Sequence, residues 1–476
     1  MTTPIPLPPV EEAPGAPLAK YLQEKVLPQF ERERDRLAGL ALWMEGRQPI
    51  ESTVRTMNSE KRVLQKISKT PWLGLAVSVF AQAMYVDGYR PASESENSKP
   101  WDIWVRNNLP AQQIAIHRAA IGYGYCYAKV TPILEDGVKR AQIRGISPRR
   151  MYAMWDDPIN DDFPEYTFEL LPDNKTYRWT DSLAWYDFVR GKNFGKFELV
   201  DVFEHNIGVV PVVRYTNQMD LDGRCLGDVE PVISLAARID KTDYDRLLAQ
   251  HFNSWKVRWA TGLEQGATPE DSARDKLKLA QEDMLVTENP LAKFGTLEET
   301  ALDPFINAKN NDVESLAAIL QLPSSVFTGA VVNVSADALD ASRRQTVQKL
   351  LEKQMSMGHT HGKLLRLASA IEGDDASALD DLARVSWQDV EIRSLAQAAD
   401  AWGKLVTQLG MPKEFAWGKV PGITNDDVTW MKDHALDDDK LSKYLRELNV
   451  KPDATQAPGA AKTGAPKTAR PATGGS

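Results

Sequence analysis

One stretch limits what this chain can fold into, because the segment from Gly227 to Gly262, GDVEPVISLAARIDKTDYDRLLAQHFNSWKVRWATG, predicts one long helix. Pro231 suits a first helical turn, and Asp228 and Glu230 lie beside it to meet the positive end of the helix dipole. About 25 residues at about 1.5 Å each make a rod of about 38 Å, which is long for a globular core. The sequence before this rod indicates mixed strand and helix, and the sequence after it indicates mostly helix.

Apolar side chains recur on two adjacent stripes of the rod, and polar side chains occupy the remaining face. The first stripe is Ile233, Ala237, Tyr244, Leu248 and Trp255; the second is Val229, Val232, Ala236 and Ile239; the polar face is Arg238, Lys241, Thr242, Asp245 and Arg246. Two apolar flanks favour packing against copies of the same rod in a ring. A long core helix of a monomer is the alternative that the pattern leaves open.

Composition narrows the class of protein. The 476 residues are 42% hydrophobic and 26% charged, which is typical of a soluble chain with two to four compact units. Two cysteines without CxxC spacing indicate a reducing compartment and no disulfide framework. No run is long enough for a membrane span, and the Pro-rich N-terminus lacks a secretory core, so we expect a cytoplasmic protein. A net charge of −9 argues against a tight nucleic-acid binder.

Before the rod, residues 1–16 predict a mobile arm, and helical patterning then begins near Leu18, is interrupted around Pro28 and ends at Gly46. Residues 71–86 predict a buried helix closed by a turn at Asp87-Gly88. A helix over 110–122 leads into a strand, Tyr123 to Val130. Short strand-like runs then indicate an antiparallel β-rich domain over about 125–216, whose aromatic residues predict a sheet core.

After the rod, the sequence predicts a small module with a strand, a helix and a second strand, and then a helix over 307–320 that returns in the opposite sense. Residues 328–335 predict a loop or strand, followed by a very long helix over about 336–372 in which Gly358 and Gly362 predict a kink. A strand over 383–391 and helices over 393–409 and 425–448 follow, and the last 26 residues predict a disordered tail.

Motifs for catalysis and metal binding are missing from the sequence, which has no P-loop, GxGxxG, HExxH or GxSxG pattern. His359 and His361 point to different faces of a helix, so we interpret them as a solvated break rather than a metal site. The acidic cluster Asp426, Asp427, Asp433 and 437–439 lacks EF-hand spacing and predicts a solvated helical face. The carboxylate pairs 156–157 and 161–162 lie beside prolines and predict turns. We therefore predict no catalytic residues, no metal and no cofactor.

Taken together, the order of these segments resembles the portal proteins of tailed double-stranded DNA bacteriophages, of the siphovirus type. The stretches that carry the resemblance are the early helix before VDGYR (86–90), IHRAAIGYGYCYAKV (116–130), the segment 223–262, LPSSVFTG with SADAL (322–329 and 335–339) and VSWQDVEIRSLAQAADAWGKL (385–405). Their order and spacing carry the match, which runs along nearly the whole chain.

The resemblance implies an α+β portal fold with a β-rich wing, long stem helices, a small α/β clip and an α-helical crown, assembled as a ring that is typically a dodecamer. Its implied segments are a disordered arm (1–16), the wing (17–226), stem helix 1 (227–255), the clip (256–302), stem helix 2 (303–321), a tunnel loop with the long kinked helix and a wing return strand (322–392), the crown (393–450) and a disordered tail (451–476).

The implied function is a channel at the capsid vertex through which double-stranded DNA is packaged and ejected, without sequence preference and without enzymatic activity. Implied partners are the terminase large subunit, the head-to-tail adaptor, the major capsid protein and a scaffold protein; the implied locations are the virion and, during assembly, the host cytoplasm. No membrane is involved.

Two sets of residues are the candidate channel surface. The tunnel loop comprises Gly329, Val331, Val332, Asn333, Val334 and Ser335, and the channel-lining candidates of the stem are Arg238, Lys241 and Asp245. A lumen rich in free Lys and Arg would grip DNA through counterion release, so we expect a mixed or negative surface that lets the duplex slide. Another virion structural protein, such as a minor head component, and a nucleic-acid-processing enzyme using carboxylates near Asp156 or Asp433 are the alternatives.

Overall fold

The computed structural model describes residues 15–49, 59–92, 99–191, 196–253, 258–261, 293–296, 300–329, 336–388 and 395–417, together with 420, 423, 427, 428, 430–432 and 434. The chain divides into two compact units, Met1–Val390 and Glu391–Ser476. No helix in the described part of the chain is long and apolar enough to cross a bilayer.

Helices form the larger part of the first unit. They are α1 Gly15–Tyr21, α2 Leu27–Met44, α3 Ser59–Ile67, α4 Trp72–Gln82, α5 Lys99–Arg106, α6 Leu109–Tyr123, α7 Ile233–Asn253, α8 Asp303–Leu320, α9 Ser325–Thr328, α10 Ala336–Glu372 and α11 Asp375–Ala378. A π-helical turn, Leu22–Val26, joins α1 to α2, and a 3-10 turn, Glu230–Val232, precedes α7. The second unit contains α12 Leu395–Leu409 and α13 Lys413–Trp417.

Every strand pairing of the described residues is antiparallel. The strands are β1 Val86–Arg90, β2 Tyr125–Glu135, β3 Val138–Ile146, β4 Met151–Met154, β5 Tyr166–Leu170, β6 Thr176–Thr180, β7 Ala184–Arg190, β8 Phe197–Glu204, β9 Val212–Thr216, β10 Gln218–Met219, β11 Cys225–Leu226, β12 Arg258–Thr261, β13 Lys293–Thr296 and β14 Arg384–Trp387. They form a five-stranded sheet in the order β4-β5-β6-β7-β8, a three-stranded sheet in the order β3-β2-β9, and three two-stranded pairs. The predicted β-rich domain over 125–216 is therefore confirmed.

Two apolar cores hold the first unit together. The larger core joins α4, α6, α7, α8 and α10 to the three-stranded sheet, with Phe80, Trp104 and Tyr215 fully enclosed. The smaller core packs α1, the π-helical turn and α2 onto the five-stranded sheet through residues such as Phe30 and Phe168. The predicted aromatic sheet core is confirmed, because Tyr166, Trp179 and Phe188 are buried.

The N-terminal helix is interrupted one turn earlier than Pro28. Leu27 N–H donates to the carbonyl of Leu22, five residues back, and Pro28 then lies in the first turn of α2, where its missing N–H costs little. The helix ends at Met44, and Gly46 follows at φ +67°, as the sequence predicts.

One prediction about a turn is wrong. Asp87 and Gly88 do not close a helix but belong to β1, where a β-bulge between Val86 and Gly88 accommodates the extra residue in the pairing with β14. Helix α10 is continuous over 37 residues, about 55 Å, and Gly358 in its middle serves packing. A Cβ atom on Gly358 would lie 3.1 Å from Trp387 Nε1 of β14, so the absent side chain lets the strand approach the helix.

The interpretation of His361 as part of a solvated break is also wrong, because this side chain is fully buried. The Tyr215 hydroxyl donates to His361 Nδ1 at 2.8 Å, and His361 Nε2 lies 2.9 Å from His117 Nε2. His117 Nδ1 lies 3.1 Å from the carbonyl oxygen of Met84, which can only accept, so Nδ1 carries the proton of His117. His117 Nε2 therefore accepts a hydrogen bond from His361 Nε2–H. Two neutral histidines thus form one ordered chain of hydrogen bonds between α6, α10 and β9.

Several predicted segments lie partly or wholly outside the described residues. Of the predicted small module, β12 and β13 are described and pair with each other, whereas its helix is not. Residues 331–335 lie outside the description, and Thr328 ends a short helical turn rather than opening a strand. Helix α12 confirms the predicted helix over 393–409, and the helix over 425–448 is described only at a few helical residues between 427 and 434.

Candidate functional site

The long rod of the sequence is one arm of an antiparallel helical hairpin. Asn253 at the end of α7 exchanges two hydrogen bonds with the backbone of Thr300, just before α8 begins. Further from the tip, Lys309 pairs with Asp243 and Asp312 pairs with Arg238. Residue numbers therefore rise along α8 as they fall along α7, so the two helices are antiparallel. Strands β12 and β13 continue the antiparallel pairing beyond the helices. The predicted hairpin of two rods, with a strand pair at its tip, is therefore present.

The first helical arm is shorter than predicted, and one of its apolar stripes is used within the subunit. Helix α7 has 21 residues and is preceded by the 3-10 turn. Val229, Val232 and Ile239 are at most 1% exposed and belong to the larger core. The sequence predicts that this stripe packs against another copy of the chain. Instead, α8 and the larger core of the same subunit cover it.

The first apolar stripe, which contains Ile233, Ala237 and Tyr244, borders an open cleft of about 400 Å³ between α7, α3 and the end of α2. Ile233, Ala237 and Tyr244 line it together with Trp43, and Asp240 lies among them. Burial raises the pKa of Asp240 to about 6, although the side chain of Gln48 and the backbone N–H of Thr70 donate to its carboxylate. The cleft thus combines an apolar wall with a carboxylate that is harder to ionise than usual.

The predicted channel-lining residues of the stem lie on the exposed face of α7. The side chain of Arg238 is 59% exposed and holds Asp312 of α8 through two nitrogens, at 2.6 and 2.9 Å. Lys241 is paired with Asp245 one helical turn further on. The structure therefore brings Lys241 and Asp245 together and places Arg238 on the opposing helix's carboxylate.

Every Lys and Arg side chain of the hairpin's two helices forms an ion pair with a carboxylate of the same hairpin. Besides the two pairs above, Arg246 and Lys309 both approach Asp243, at 3.4 and 2.8 Å. The two helices contain four Lys and Arg residues and six Asp and Glu residues, so their formal net charge is −2. The described part of the hairpin is a surface of neutralised cations with a small negative excess.

A buried ionic cluster fixes the base of the hairpin to α10. Lys353 Nζ donates to Asp228 Oδ1 at 3.0 Å and to the side chain of Asn217, and Lys349 Nζ lies 3.2 Å from Asp228 Oδ2. Lys349 also donates to the carbonyl of Leu320, at the end of α8. Because Asp228 precedes α7 and Leu320 ends α8, two lysines one turn apart on α10 hold both arms of the hairpin.

Electrostatics of this cluster favour the charged carboxylate. Burial alone would raise the pKa of Asp228, but Lys353 and Lys349 outweigh it and hold that pKa below its ordinary value. Burial lowers the pKa of Lys353, against the attraction of Asp228. Both ammonium groups also lie over the ring of Phe80, at 5.1 and 5.3 Å from its centre. We name Asp228, Lys349 and Lys353 the hairpin anchor.

Sequence reasoning missed both the hairpin anchor and the histidine chain. A signal for the anchor was present, because Lys349 and Lys353 share a helical face with Leu350 and Met357, which are buried. Lysines on an apolar face require a partner, but nothing local names Asp228 as that partner. For His361 the sequence offered only a position on a long helix.

Of the tunnel-loop candidates, only Gly329 is among the described residues. Gly329 ends the short helix α9 at φ +66°, a conformation that favours glycine. Val331, Val332, Asn333, Val334 and Ser335 lie outside the described residues.

Carboxylates outside the hairpin form no metal-binding group in the described part of the chain. Asp157 accepts hydrogen bonds from the backbone of Ile159 and Asn160, and Asp161 accepts from the backbone of Asp157, so this loop uses its acids to close a turn, as predicted. Of the acidic cluster over 426–439, only Asp427 is described. Among described residues, no group of three or more His, Cys, Asp or Glu side chains is placed to hold a metal.

The described part of the chain thus combines a mixed helix and sheet fold with a helical hairpin whose cations are paired with carboxylates. The family model described as phage portal protein, SPP1 Gp6-like, matches residues 23–447. The match covers most of the chain, and the chain belongs to this family of phage portal proteins, which is structural and not enzymatic.

Comparison with solved structures finds similar chains in GTA particles. The neck of an empty GTA particle computed with C6 symmetry has a TM-score of 0.41 and 13% identity, over 74% of this chain and 90% of that chain. The neck of a native GTA particle computed with C12 symmetry has a TM-score of 0.45 and 10% identity, over 80% of this chain and 97% of that chain. A search of curated protein sequences finds no match. The family assignment rests on the family model.

Proposed function

We propose that copies of this chain assemble into a ring, typically a dodecamer, whose central channel passes double-stranded DNA during packaging and ejection. The α7–α8 hairpin is the stem of that channel, residues 256–302 are the clip at its tip, residues 17–226 are the wing and residues 393–450 are the crown. The loop with Gly329 and residues 331–335 is the narrowest point. The ring belongs to the virion, at the capsid vertex.

One observation supports this proposal most strongly, namely the pairing of every hairpin Lys and Arg with a carboxylate of the same hairpin. DNA carries one phosphate charge per about 1.7 Å of helix axis, so each free cation that contacts it releases a counterion and strengthens binding. A motor moving DNA through such a channel would have to break those contacts at each step. Cations that are neutralised within the protein leave the duplex free to slide.

The partners that we propose are those that the resemblance to portal proteins implies. A hairpin without a nucleotide-binding motif supplies no energy for DNA movement, so a terminase large subunit docks on the clip and hydrolyses ATP. A head-to-tail adaptor takes its place after packaging, and the major capsid protein and a scaffold protein meet the wing. The chain itself has no cofactor, and assembly takes place in the host cytoplasm.

The test is to release one cation without adding one. Asp312→Asn frees Arg238, whose side chain is already 59% exposed, and changes the formal charge of the hairpin helices from −2 to −1. A dodecamer would then carry twelve free guanidinium groups around the DNA. We expect packaging in a terminase-driven assay to slow several-fold at low salt and to recover as the salt concentration rises.

The matched control is the double variant Arg238→Gln with Asp312→Asn, which restores the formal charge of −2 and has no free cation at this position. It should package at the rate of the unmodified protein at every salt concentration. Electron microscopy confirms that all three proteins form rings. If Asp312→Asn rings package DNA at the normal rate at low salt, Arg238 does not line the channel.

A further inference from the structure

The outer strand of the five-stranded sheet is the densest exposed apolar surface among the described residues. Strand β8, FELVDVFE, follows β7 at the edge of the sheet, and only its first residue is buried. Val200 is 65% exposed, Val202 43% and Leu199 37%, and Phe203, which is 52% exposed, stacks on Trp185 of β7. Edge strands with exposed large apolar side chains are typical of surfaces that another chain covers. We name residues 198–204 the β8 surface.

Charge limits what can cover the β8 surface. Glu198, Asp201 and Glu204 are all exposed, and the strand contains no Lys or Arg. A second β8 strand paired with it in the antiparallel sense, in the register centred on Asp201, would place acids against acids, which is unfavourable. The strand therefore suits a different surface that is apolar and basic. Contacts between two different surfaces of one chain are the kind that close a ring.

Helix α3 is a surface of that kind. Its sequence SEKRVLQKI contains three basic residues and one acidic residue. Val63 and Ile67 are one turn apart and are 58% and 60% exposed, and the exposed Arg62 and Lys66 lie beside them. An apolar pair flanked by cations complements the apolar and acidic β8 surface.

The two surfaces lie at opposite ends of one rod, so they cannot meet within a subunit. Helix α1 packs against β8, whereas Trp43, near the end of α2, shares a cleft with Gln65 of α3. The helical path from Gly15 to Met44 has 30 residues and is about 45 Å long. A contact between β8 and α3 must therefore join two copies of the chain.

We propose that α3 of one subunit packs on the β8 surface of the neighbouring subunit and that this contact repeats around the ring. The occupant of each surface is thus a second copy of this chain, held by apolar contacts between Val63, Ile67 and the β8 side chains, and by ion pairs of Arg62 and Lys66 with the acids of β8. This inference rests on the proposed ring.

Reciprocal charge reversal tests the contact. The first variant carries Glu198→Lys and Glu204→Lys, the second carries Arg62→Glu and Lys66→Glu, and the third carries all four substitutions. We expect each of the first two to lower the yield of rings by about tenfold, because like charges then face each other. The combined variant should recover to within about twofold of the unmodified protein. Ring yield is measured by native mass spectrometry and electron microscopy.

A control with the same change in charge as the second variant is placed elsewhere on the first unit. Lys139→Glu with Arg144→Glu alters two exposed cations of β3, and its ring yield should equal that of the unmodified protein. Circular dichroism and thermal unfolding show that each variant is folded before its assembly is scored.

Rings at normal yield from either single-surface variant would overturn the contact, and so would a folded combined variant that does not recover. Neither result contradicts the proposed ring, which the unmodified protein still forms. An unmodified protein that forms no rings under any condition would instead contradict the proposed function.

Discussion

Ionic groups are used in opposite ways along the α7–α8 hairpin and at its base. Along its length, Lys241 and Asp245 meet at the surface, with side chains that are 66% and 36% exposed. At its base, Lys353 and Asp228 meet in the interior, with side chains that are 1% and 2% exposed. Both pairs join a Lys to an Asp, yet water screens the first and is excluded from the second.

This difference separates a surface that adjusts its charge from an interior that fixes a geometry. Surface ion pairs contribute about 0–1 kcal/mol, so the hairpin can neutralise its cations at almost no gain or cost in stability. A buried pair gains little over an apolar replacement, but removing one partner leaves an uncompensated charge. The hairpin anchor therefore specifies where α10 meets both arms of the hairpin. The exposed pairs set only the electrostatic potential at the surface of the hairpin.

The largest effect is expected at the hairpin anchor. Asp228→Ala leaves Lys349 and Lys353 without their carboxylate in a region with little access to water, and should lower the free energy of unfolding by about 3–5 kcal/mol. Urea denaturation followed by circular dichroism measures the loss. A triple variant, Asp228→Leu with Lys349→Met and Lys353→Met, removes all three charges and should recover most of it. A loss below about 1 kcal/mol for Asp228→Ala would mean that the lysines reach water.

The next effect is expected at the histidine chain, where acid should lower the free energy of unfolding. Burial lowers the pKa of His117 to about 4 and holds that of His361 well below its ordinary value. Because the unfolded chain binds these protons near pH 6.5, stability is complete above that pH and is lost as the pH falls towards 4. A shift of that size for His117 corresponds to about 3 kcal/mol.

Comparing the free energy of unfolding at pH 7, 5.5 and 4.5 with that of His117→Gln/His361→Gln isolates the contribution of the chain. The double variant should be less stable at pH 7 and should lose less stability on acidification. The same slope in both proteins would assign the acid sensitivity to other groups.

Periodicity and order of segments were enough to predict the parts of the fold that depend on local pattern. The antiparallel strands over 125–216 and the long helix at 336–372 follow from alternation and from 3.6-residue spacing, and both are present. The opposed helices at 233–253 and 303–320 follow from the short module between them. Asp87-Gly88 was misread because a turn signal and a β-bulge use the same residues.

Contacts between distant segments were not predictable from the pattern. His361 bonds to His117, 244 residues away, and Lys353 bonds to Asp228, 125 residues away, so no local window contains either pair. The channel-facing candidates were predictable to a different degree. Their position on the polar face of α7 was visible, whereas the pairing of Arg238 with Asp312 depends on the register of α8, which the sequence does not reveal.

The smallest effect is expected on the exposed face of the hairpin. Asp245→Asn removes the partner of Lys241 without changing the shape of the side chain, and should lower the free energy of unfolding by about 0.5 kcal/mol or less. The loss should disappear in 1 M salt, where the screening length is about 3 Å. Asp243→Asn, two residues away, is the control, because that carboxylate is 5% exposed and holds both Arg246 and Lys309. It should cost about 2–3 kcal/mol at either salt concentration. Equal losses for the two variants in assembled rings would show that neighbouring subunits bury Asp245, and the exposed face of α7 would then line an interface rather than a channel.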